Sequence, residues 1–312
     1  MALSTALADA RAAPAPRPDR QQIIDLLADF SIETTPAAVT RHGGLALLPA
    51  ATRVYIAFVP GEDWRNVVAA AREVRSANLV PVPHVPARSI TSHDELNAFL
   101  GALADRAAVD QVLAIGGGLD QPQGPYPSSL ALLETGLLER HGIRTIGLAG
   151  HPEGEPVLHL PGVTTSHGQK VAYARRSPAA VRLVTQFLFE PAPLLAWERA
   201  IRGDGLPIHA GVPGPATLKT LLSYARLCGI GNSMRMLTRQ AGNLLRLARL
   251  SYPDALITAL AAARADPASR IERLHFYPFG GLARTARWLD GIRAGAFALH
   301  DEGGFTVDPE YG

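Results

Sequence analysis

The sequence is poor in cysteine, in aromatic residues and in net charge. Cys228 is the one cysteine among 312 residues, which excludes an intrachain disulfide framework or thiolate metal cluster and is typical of a reducing compartment. The 30 basic and 28 acidic residues leave a net charge of +2, too small for the field of a nucleic-acid or acidic-lipid binder. No apolar stretch approaches the roughly 20 residues of a membrane helix. The composition predicts a cytoplasmic globular protein with neither a nucleic-acid nor a membrane partner.

The two ends of the chain differ from its middle. Residues 1–20 are rich in Ala, Pro and Arg and have little to bury, which predicts a flexible arm. Asp9 and Arg11 interrupt the apolar segment that a secretory signal requires, and an organelle transit peptide stays an alternative. Residues 301–312 are expected to form a loose tail. We therefore expect one catalytic domain over residues 21–300.

Eight short apolar runs alternate with helical patterns through this middle region. The runs have the length and the Val, Ile and Phe content of buried strands, and they cover residues 30–34, 53–60, 79–86, 111–118, 144–150, 181–189, 206–214 and 273–281. Helical patterns between them cover residues 64–77, 93–107, 129–142, 193–203 and 216–229. This alternation predicts an α/β fold, a (β/α)₈ TIM barrel, with an open doubly wound sheet as the alternative. Two further helical patterns in residues 230–270 predict an extra helical insertion before the last strand.

The predicted strand ends carry the candidate site residues, because a barrel gathers its chemistry at the carboxyl ends of its strands. Glu33 follows the first strand, where an apolar mouth would raise its pKa toward that of a general acid; a solvated or Arg-paired rim carboxylate is the alternative. Gln186 lies in an apolar strand, where an amide pairs with a heterocycle edge or caps a neighbouring strand. Residues 116–118, three glycines, admit a flat ligand or phosphate, or simply form a tight turn.

Histidines follow or lie within four predicted strands, at positions 84, 151, 209 and 275. They raise the possibility of a barrel metal hydrolase. However, no His-x-His pair and no H-E-x-x-H motif accompanies them, so no metal site is predicted. Buried imidazoles held by backbone carbonyls are the alternative. Arg175 and Arg176 either hold a phosphate or carboxylate, or lie at a solvated helix end.

Taken together, these segments resemble the methylenetetrahydrofolate reductase family. The resemblance covers residues 30 to 295 and is carried, in the family's order, by FSIETTP, VPHVPAR, IGLAGHPEGEP, VTQFLFE, GVPGPATLK and LHFYPFGG. It implies that Glu33 is the catalytic acid and that Gln186 binds the substrate. Further substrate-binding positions implied by the resemblance are Thr220, Tyr224 and Tyr277. Cofactor-binding positions implied by it are His84, Gly116, Gly117, Gly118, His151, Glu153 and Arg175.

The sequence also departs from the family pattern where a flavin would bind. The Arg-Gly-Asp expected after the fourth strand is Gly116-Gly117-Gly118, with Asp120 two residues late. The tyrosine before Pro-Glu is His151, and the histidine shortly after it is Glu155. These changes favour hydride transfer directly from NAD(P)H, with NADH preferred, over transfer through FAD, which remains an alternative.

The activity implied by the resemblance is reduction of 5,10-methylenetetrahydrofolate to 5-methyltetrahydrofolate, a step of one-carbon metabolism that serves methionine biosynthesis or a demethylation pathway. Two other functions stay open: a folate-binding family member that receives electrons from a partner subunit, and a barrel metal hydrolase. The expected partner is a small-molecule folate, and a homo-oligomer is compatible with the sequence.

Overall fold

In the computed structural model, eight parallel strands close into a barrel, as the alternating pattern predicts. The structure describes residues 17–42, 44–154, 166–227 and 250–312. The barrel strands, in chain order, are β1 (Ser31–Thr34), β2 (Arg53–Ile56), β3 (Val80–Pro86), β4 (Gln111–Ile115), β5 (Thr145–Gly150), β6 (Ala180–Phe187), β7 (Ile208–Pro213) and β8 (Ile271–Tyr277). Each neighbours the next, and β1 pairs with β8 to close the barrel. The (β/α)₈ TIM barrel prediction is confirmed, and the open sheet is wrong.

Helices surround the strands and bury one apolar face against them. The described helices are α1 (Arg20–Leu27), α2 (Pro36–His42), α3 (Trp64–Ser76), α4 (His93–Ala107), α5 (Ser129–Leu133), α6 (Leu137–Arg140), α7 (Ser166–Arg176), α8 (Pro191–Ile201), α9 (Leu218–Leu227), α10 (Asp254–Arg264) and α11 (Leu282–Arg293). α3 illustrates the packing: Val67, Ala71 and Val74 are fully buried on one face, and Asp63 caps its first turn. No helix in the described ranges is long and apolar enough to cross a membrane.

The single helix predicted over residues 129–142 is wrong, because Gly136 interrupts it. α5 ends at Leu133, and Gly136, with a left-handed φ of 66°, precedes the first residue of α6. The Thr135 hydroxyl accepts a hydrogen bond from the backbone N–H of Leu137 and caps the second helix. The sequence pattern missed this break because the leucines on both sides keep a helical spacing.

The carboxy-terminal segment is ordered, contrary to the loose tail expected over residues 301–312. Phe305–Val307 pairs antiparallel with Phe297–Leu299. Phe305 is buried and its ring stacks on Trp288 of α11 at 6.0 Å. The apolar residues of the tail therefore complete the helical shell.

Parts of two predictions lie outside the described residues. The flexible arm over residues 1–20 is described only from Arg17, and α1 already begins at Arg20 behind its Asp19 cap. In the insertion, the second helical pattern of residues 230–270 is confirmed as α10, whereas the first lies wholly in residues 228–249, outside the described ranges.

The barrel interior is polar at both ends and apolar between them. Tyr55, Val82, Leu113 and Val184 form the apolar middle. Because side chains alternate along a strand, residues two positions earlier face the interior one layer lower, toward the amino ends of the strands. On β2, β4 and β6 these earlier positions are Arg53, Gln111 and Arg182, and Arg273 has the corresponding position on β8. We call these four residues the arginine layer.

Candidate functional site

Glu33 lies at the carboxyl end of β1 between two buried imidazoles. Its Oε2 is 3.4 Å from Nε2 of His84 on β3 and 3.6 Å from Nε2 of His275 on β8. The Glu33 side chain is 21% exposed, against 9% for His84 and 0% for His275. The carboxylate therefore borders the open mouth of the barrel, and the histidines lie deeper.

Ser31 fixes the orientation of the His275 ring. Its Oγ lies 2.9 Å from Nδ1 of His275, whereas its other contact, the carbonyl of Leu274, is 3.4 Å away. The shorter contact favours Ser31 as donor to Nδ1, which leaves the imidazole proton on Nε2, facing Glu33. Neither His84 nor His275 has a hydrogen-bond partner for Nε2 among the described residues, so a bound ligand would find two buried polar atoms beside the carboxylate.

The expectation of a raised Glu33 pKa is wrong. Burial alone would raise the pKa, but the side-chain interaction with His275 and the charges of His84 and His275 outweigh it and lower the pKa of Glu33 below 4.5. Burial lowers the pKa of His84, because it disfavours the charged imidazolium. At neutral pH the site therefore holds a carboxylate beside a neutral His84.

The native protein is expected to lose stability in acid. Burial lowers the pKa of His84 below 6.5 and that of His209, which is fully buried in β7, well below it. The unfolded chain binds these protons at pH values where the native chain does not, so the free energy of unfolding falls as pH drops below about 6.5. The lowered pKa of Glu33 acts in the same direction near pH 4. Urea unfolding between pH 7.5 and about 4.5 measures this. A stability that is flat from pH 7.5 to about 5 would contradict this prediction.

Gln186 lies in an irregular turn of β6 next to the same mouth. The pairing of β6 with β7 shifts register between Val184 and Phe187. The Thr185 hydroxyl bonds the Gln186 carbonyl, at 2.8 Å, and also accepts the N–H of Gly211, at 2.8 Å. The Gln186 side chain is partly exposed, and its amide makes no hydrogen bond to any residue that the structure describes.

Tyr277 connects this bulge to the Glu33 cluster. Its hydroxyl donates to the carbonyl of Thr185 at 2.9 Å, and its ring meets His275 edge to face at 4.8 Å. Glu33, His275 and Tyr277 therefore form a continuous path of contacts that ends at the residue before Gln186. The structure brings the predicted acid, one predicted substrate residue and the bulge of another into one region.

The two substrate-binding positions predicted on α9 lie farther out. The Tyr224 ring, 37% exposed, stacks on Phe279 at 4.1 Å, and Phe279 in turn stacks on Tyr277 at 5.8 Å. Thr220 lies in the first turn of α9, where its hydroxyl is 2.9 Å from that of Thr217. One face of Tyr224 is therefore already covered, and Thr220 is engaged locally.

The triple glycine after β4 is braced by an arginine that the sequence did not single out. Arg88, just after β3, donates to the carbonyl of Gly116 at 3.3 Å and to that of Leu119 at 2.7 Å. A Cβ at Gly116 would lie 3.0 Å from the Arg88 guanidinium, and Gly117 has a φ of 91°. Glycine is required at 117 by the backbone conformation, and the guanidinium occupies the space beside 116.

The remaining cofactor-binding predictions divide between the two ends of the barrel. His151 and Glu153 follow β5 at the mouth, and both interact with neighbouring groups. Arg175 is exposed in the last turn of α7, next to the amino end of β6, so the structure does not bring it to the mouth. A buried cation nearer the mouth is Lys170, whose Nζ donates to the carbonyl of Ala149 in β5 at 2.8 Å. The Glu155 position lies outside the described residues.

Several residues of the site were missed because each had no motif of its own. Ser31, Arg88 and Lys170 belong to this group. Strand alternation was the available signal for Ser31, which lies two positions before Glu33 on β1. No cluster of three or more His, Cys, Asp or Glu able to hold a metal occurs within the described part of the chain.

Comparison with known proteins finds only distant similarity. No family model matches the chain. A conserved Enterococcus faecalis protein of unknown function is 11% identical over 85% of this chain and 65% of its own length, with a TM-score of 0.46. Yersinia pestis DHPS bound to a pterine-sulfa conjugate is 13% identical over 86% of this chain and 94% of its own length, with a TM-score of 0.43. The carboxyl transferase domain of Rhizobium etli pyruvate carboxylase with 3-hydroxypyruvate is 12% identical over 90% of this chain and 58% of its own length, with a TM-score of 0.36. This chain thus spans under two thirds of the first and third of these structures, and at such scores the comparison bears on no activity.

Proposed function

We propose that this chain is an oxidoreductase that reduces 5,10-methylenetetrahydrofolate to 5-methyltetrahydrofolate, with a hydride from reduced nicotinamide. The balanced reaction consumes one NAD(P)H and one proton and yields NAD(P)⁺ and the methyl product. The resemblance of the strand-end segments to methylenetetrahydrofolate reductases suggests this chemistry. One geometric observation supports it.

That observation is that residues predicted individually, in distant parts of the sequence, lie together in the structure. Glu33, His84, His275 and Tyr277 come from three strands, and contacts of 3.4 to 4.8 Å link them in one cluster at the barrel mouth. A ligand of pterin size bound there contacts the carboxylate and both imidazoles at once. A carboxylate and two buried imidazoles in mutual contact at an open mouth are typical of a binding site rather than of a packed core.

Glu33 supplies the proton that opens the five-membered ring of the substrate. Protonation of N10 breaks the N10–methylene bond and leaves a cationic iminium at N5. In the ligand-free protein Glu33 is a carboxylate, but a folate that covers the mouth removes water, and desolvation raises the pKa of a carboxyl group. Glu33 then takes up a proton as the substrate binds and delivers it to N10. The regenerated carboxylate faces and stabilises the cation.

Other residues of the mouth orient the reactants. The Gln186 amide donates and accepts at once, which matches the alternating donors and acceptors of a pterin edge. His275, held by Ser31, directs its Nε2–H at Glu33 and keeps the carboxylate in place. The aromatic series from Tyr277 through Phe279 to Tyr224 lines the outer wall, beside which the aromatic part of a folate would lie.

A flavin fits the end of β4 poorly. The resemblance puts a carboxylate there, but residues 116–118 carry no side chain, and the Arg88 guanidinium occupies the place of a Gly116 side chain. FAD therefore takes no part in the proposed reaction. The hydride donor of the proposal is the nicotinamide itself, bound as a substrate against the folate, and orientation of the two rings supplies much of the catalysis.

The purified chain is expected to be colourless and active without any added protein. Its absorption spectrum should lack the flavin band at about 450 nm. The absorbance of NADH should decrease only when methylenetetrahydrofolate is present. Added FAD should leave the rate unchanged. Bound flavin in stoichiometric amount would show that the direct transfer is wrong, and a requirement for a second protein would favour the partner-dependent alternative.

A further inference from the structure

The arginine layer lies at the opposite end of the barrel from Glu33 and plays no part in the proposed reaction. Barrel interiors are usually filled there by branched apolar side chains. Here Arg53, Arg182 and Arg273 bring three positive charges into one layer. Arg182 donates to Gln111 at 2.9 Å, which ties two of the four members together.

The acidic residues beside the layer balance only part of this charge. Asp29, just before β1, bridges Arg53 at 3.0 Å and Arg273 at 2.5 Å, and Glu272 lies 3.6 Å from Arg273. Both carboxylates are about half exposed, at 57% and 50% of their side-chain surface. Two acids against three guanidiniums leave an excess of one positive charge in a largely buried layer.

Several buried nitrogens in and beside this layer have no hydrogen-bond partner in the described part of the chain. In the layer they are Nε and Nη1 of Arg273 and Nε of Arg53; beside it they are the ring nitrogens of His209, whose Nε2 lies 3.9 Å from Glu272. The Arg273 side chain is only 7% exposed and that of His209 is 0% exposed. Buried guanidinium donors without acceptors are costly, and an acceptor with several lone pairs would relieve that cost.

An opening on the amino-terminal face reaches the edge of the layer at Arg53 and at Asp29, the carboxylate that also holds Arg273. A cavity of about 390 Å³ is lined by Asp29, Thr52, Arg53 and Val80, with Arg293 of α11 at its side. Two of these residues carry guanidinium groups, and one of them, Arg53, belongs to the arginine layer. The space is large enough for a tetrahedral oxyanion or a small molecule that carries one.

We propose that this end of the barrel is a second binding site, for a phosphate group, formed by Arg53, Arg182 and Arg273. Guanidinium groups bind phosphate oxygens through paired, charge-assisted hydrogen bonds, and a phosphate dianion supplies the acceptors that the buried donors lack. Asp29 competes with the ligand for two of the three arginines. The site is separate from the folate reaction and does not depend on it.

Two variants with opposite expected effects test the site. Calorimetric titration of the full chain with inorganic phosphate, in chloride buffer of matched ionic strength, should show saturable binding that raises the melting temperature. Arg182→Gln should weaken phosphate binding roughly tenfold. Asp29→Asn should tighten it severalfold, because Arg53 and Arg273 are released from their carboxylate. The exposed Arg72→Gln on α3 should bind as the native chain does.

The opposite signs keep the outcome clear even if one variant folds poorly. Should Arg182→Gln fail to fold, tighter binding by Asp29→Asn still supports the site, and unchanged or weaker binding overturns it. Absence of saturable phosphate binding by the native chain also overturns it. Titration with glycerol phosphate distinguishes a free anion from a phosphate ester: tighter binding than inorganic phosphate assigns the site to a metabolite, and weaker binding assigns it to the free ion.

Discussion

Replacement of Glu33 by glutamine is expected to reduce kcat for methylenetetrahydrofolate reduction by about 10²- to 10⁴-fold. Glutamine has nearly the size of glutamate, so it can occupy the space beside His84 and His275. It can neither carry the proton to N10 nor present a negative charge to the N5 iminium. Because both losses concern the transition state, KM should change little while kcat falls.

Stopped-flow measurement of NADH oxidation under single-turnover conditions would test this expectation directly. The matched control is Glu73→Gln on the exposed face of α3, which makes the same chemical change far from the mouth and should keep full activity. Urea unfolding of Glu33→Gln checks that the loss is not one of folding. Full turnover by Glu33→Gln would rule out this residue as the acid, whatever the other contacts at the mouth.

Replacement of Gly211 by alanine is expected to destabilise the protein by about 3 kcal/mol. An added Cβ would collide with the carbonyl oxygen of Gln186 and lie 2.6 Å from that of Thr185. Both contacts are with the backbone of the β6 bulge, which cannot move aside as a flexible side chain would. The strain should therefore also displace Gln186 and raise KM for the folate.

Gly203→Ala provides the comparison, because nothing lies within 4 Å of a Cβ at that position. Its free energy of unfolding should change by less than about 1 kcal/mol. Equilibrium unfolding in urea of both variants gives the two values. If the two alanine variants prove equally stable, the close approach of β7 to the bulge has no energetic importance.

The sequence predicts the barrel well because its strands are apolar on both faces and end in Gly or Pro. All eight predicted runs overlap an observed strand, from Ser31–Thr34 to Ile271–Tyr277. Some strands end earlier than their runs: β4 stops at Ile115, before the triple glycine, and β2 at Ile56. Helix breaks were harder to predict, since Gly136 lies among leucines that preserve helical spacing.

The site could be predicted only in part, because its pairings depend on closure of the barrel. Positions such as Glu33 and His275 were named from strand ends, but no local pattern links residues so far apart in sequence. The direction of the Glu33 pKa was wrong for the same reason: burial was evident from the apolar strand, whereas the two imidazoles that reverse its effect come from other strands. The arginine layer was invisible, since a strand buried on both faces hides which residues point inward.

The pairing of β1 with β8 has a consequence for the order of events during synthesis. Ser31 and His275, in contact at 2.9 Å, are 244 residues apart. A ribosome makes the first strand early, and that strand must wait for nearly the whole remaining polypeptide before it acquires its second neighbour. Contacts of such long range are slow to form because the intervening loop entropy is lost first. The contacts around Glu33 and His275 are therefore among the last that the nascent chain completes.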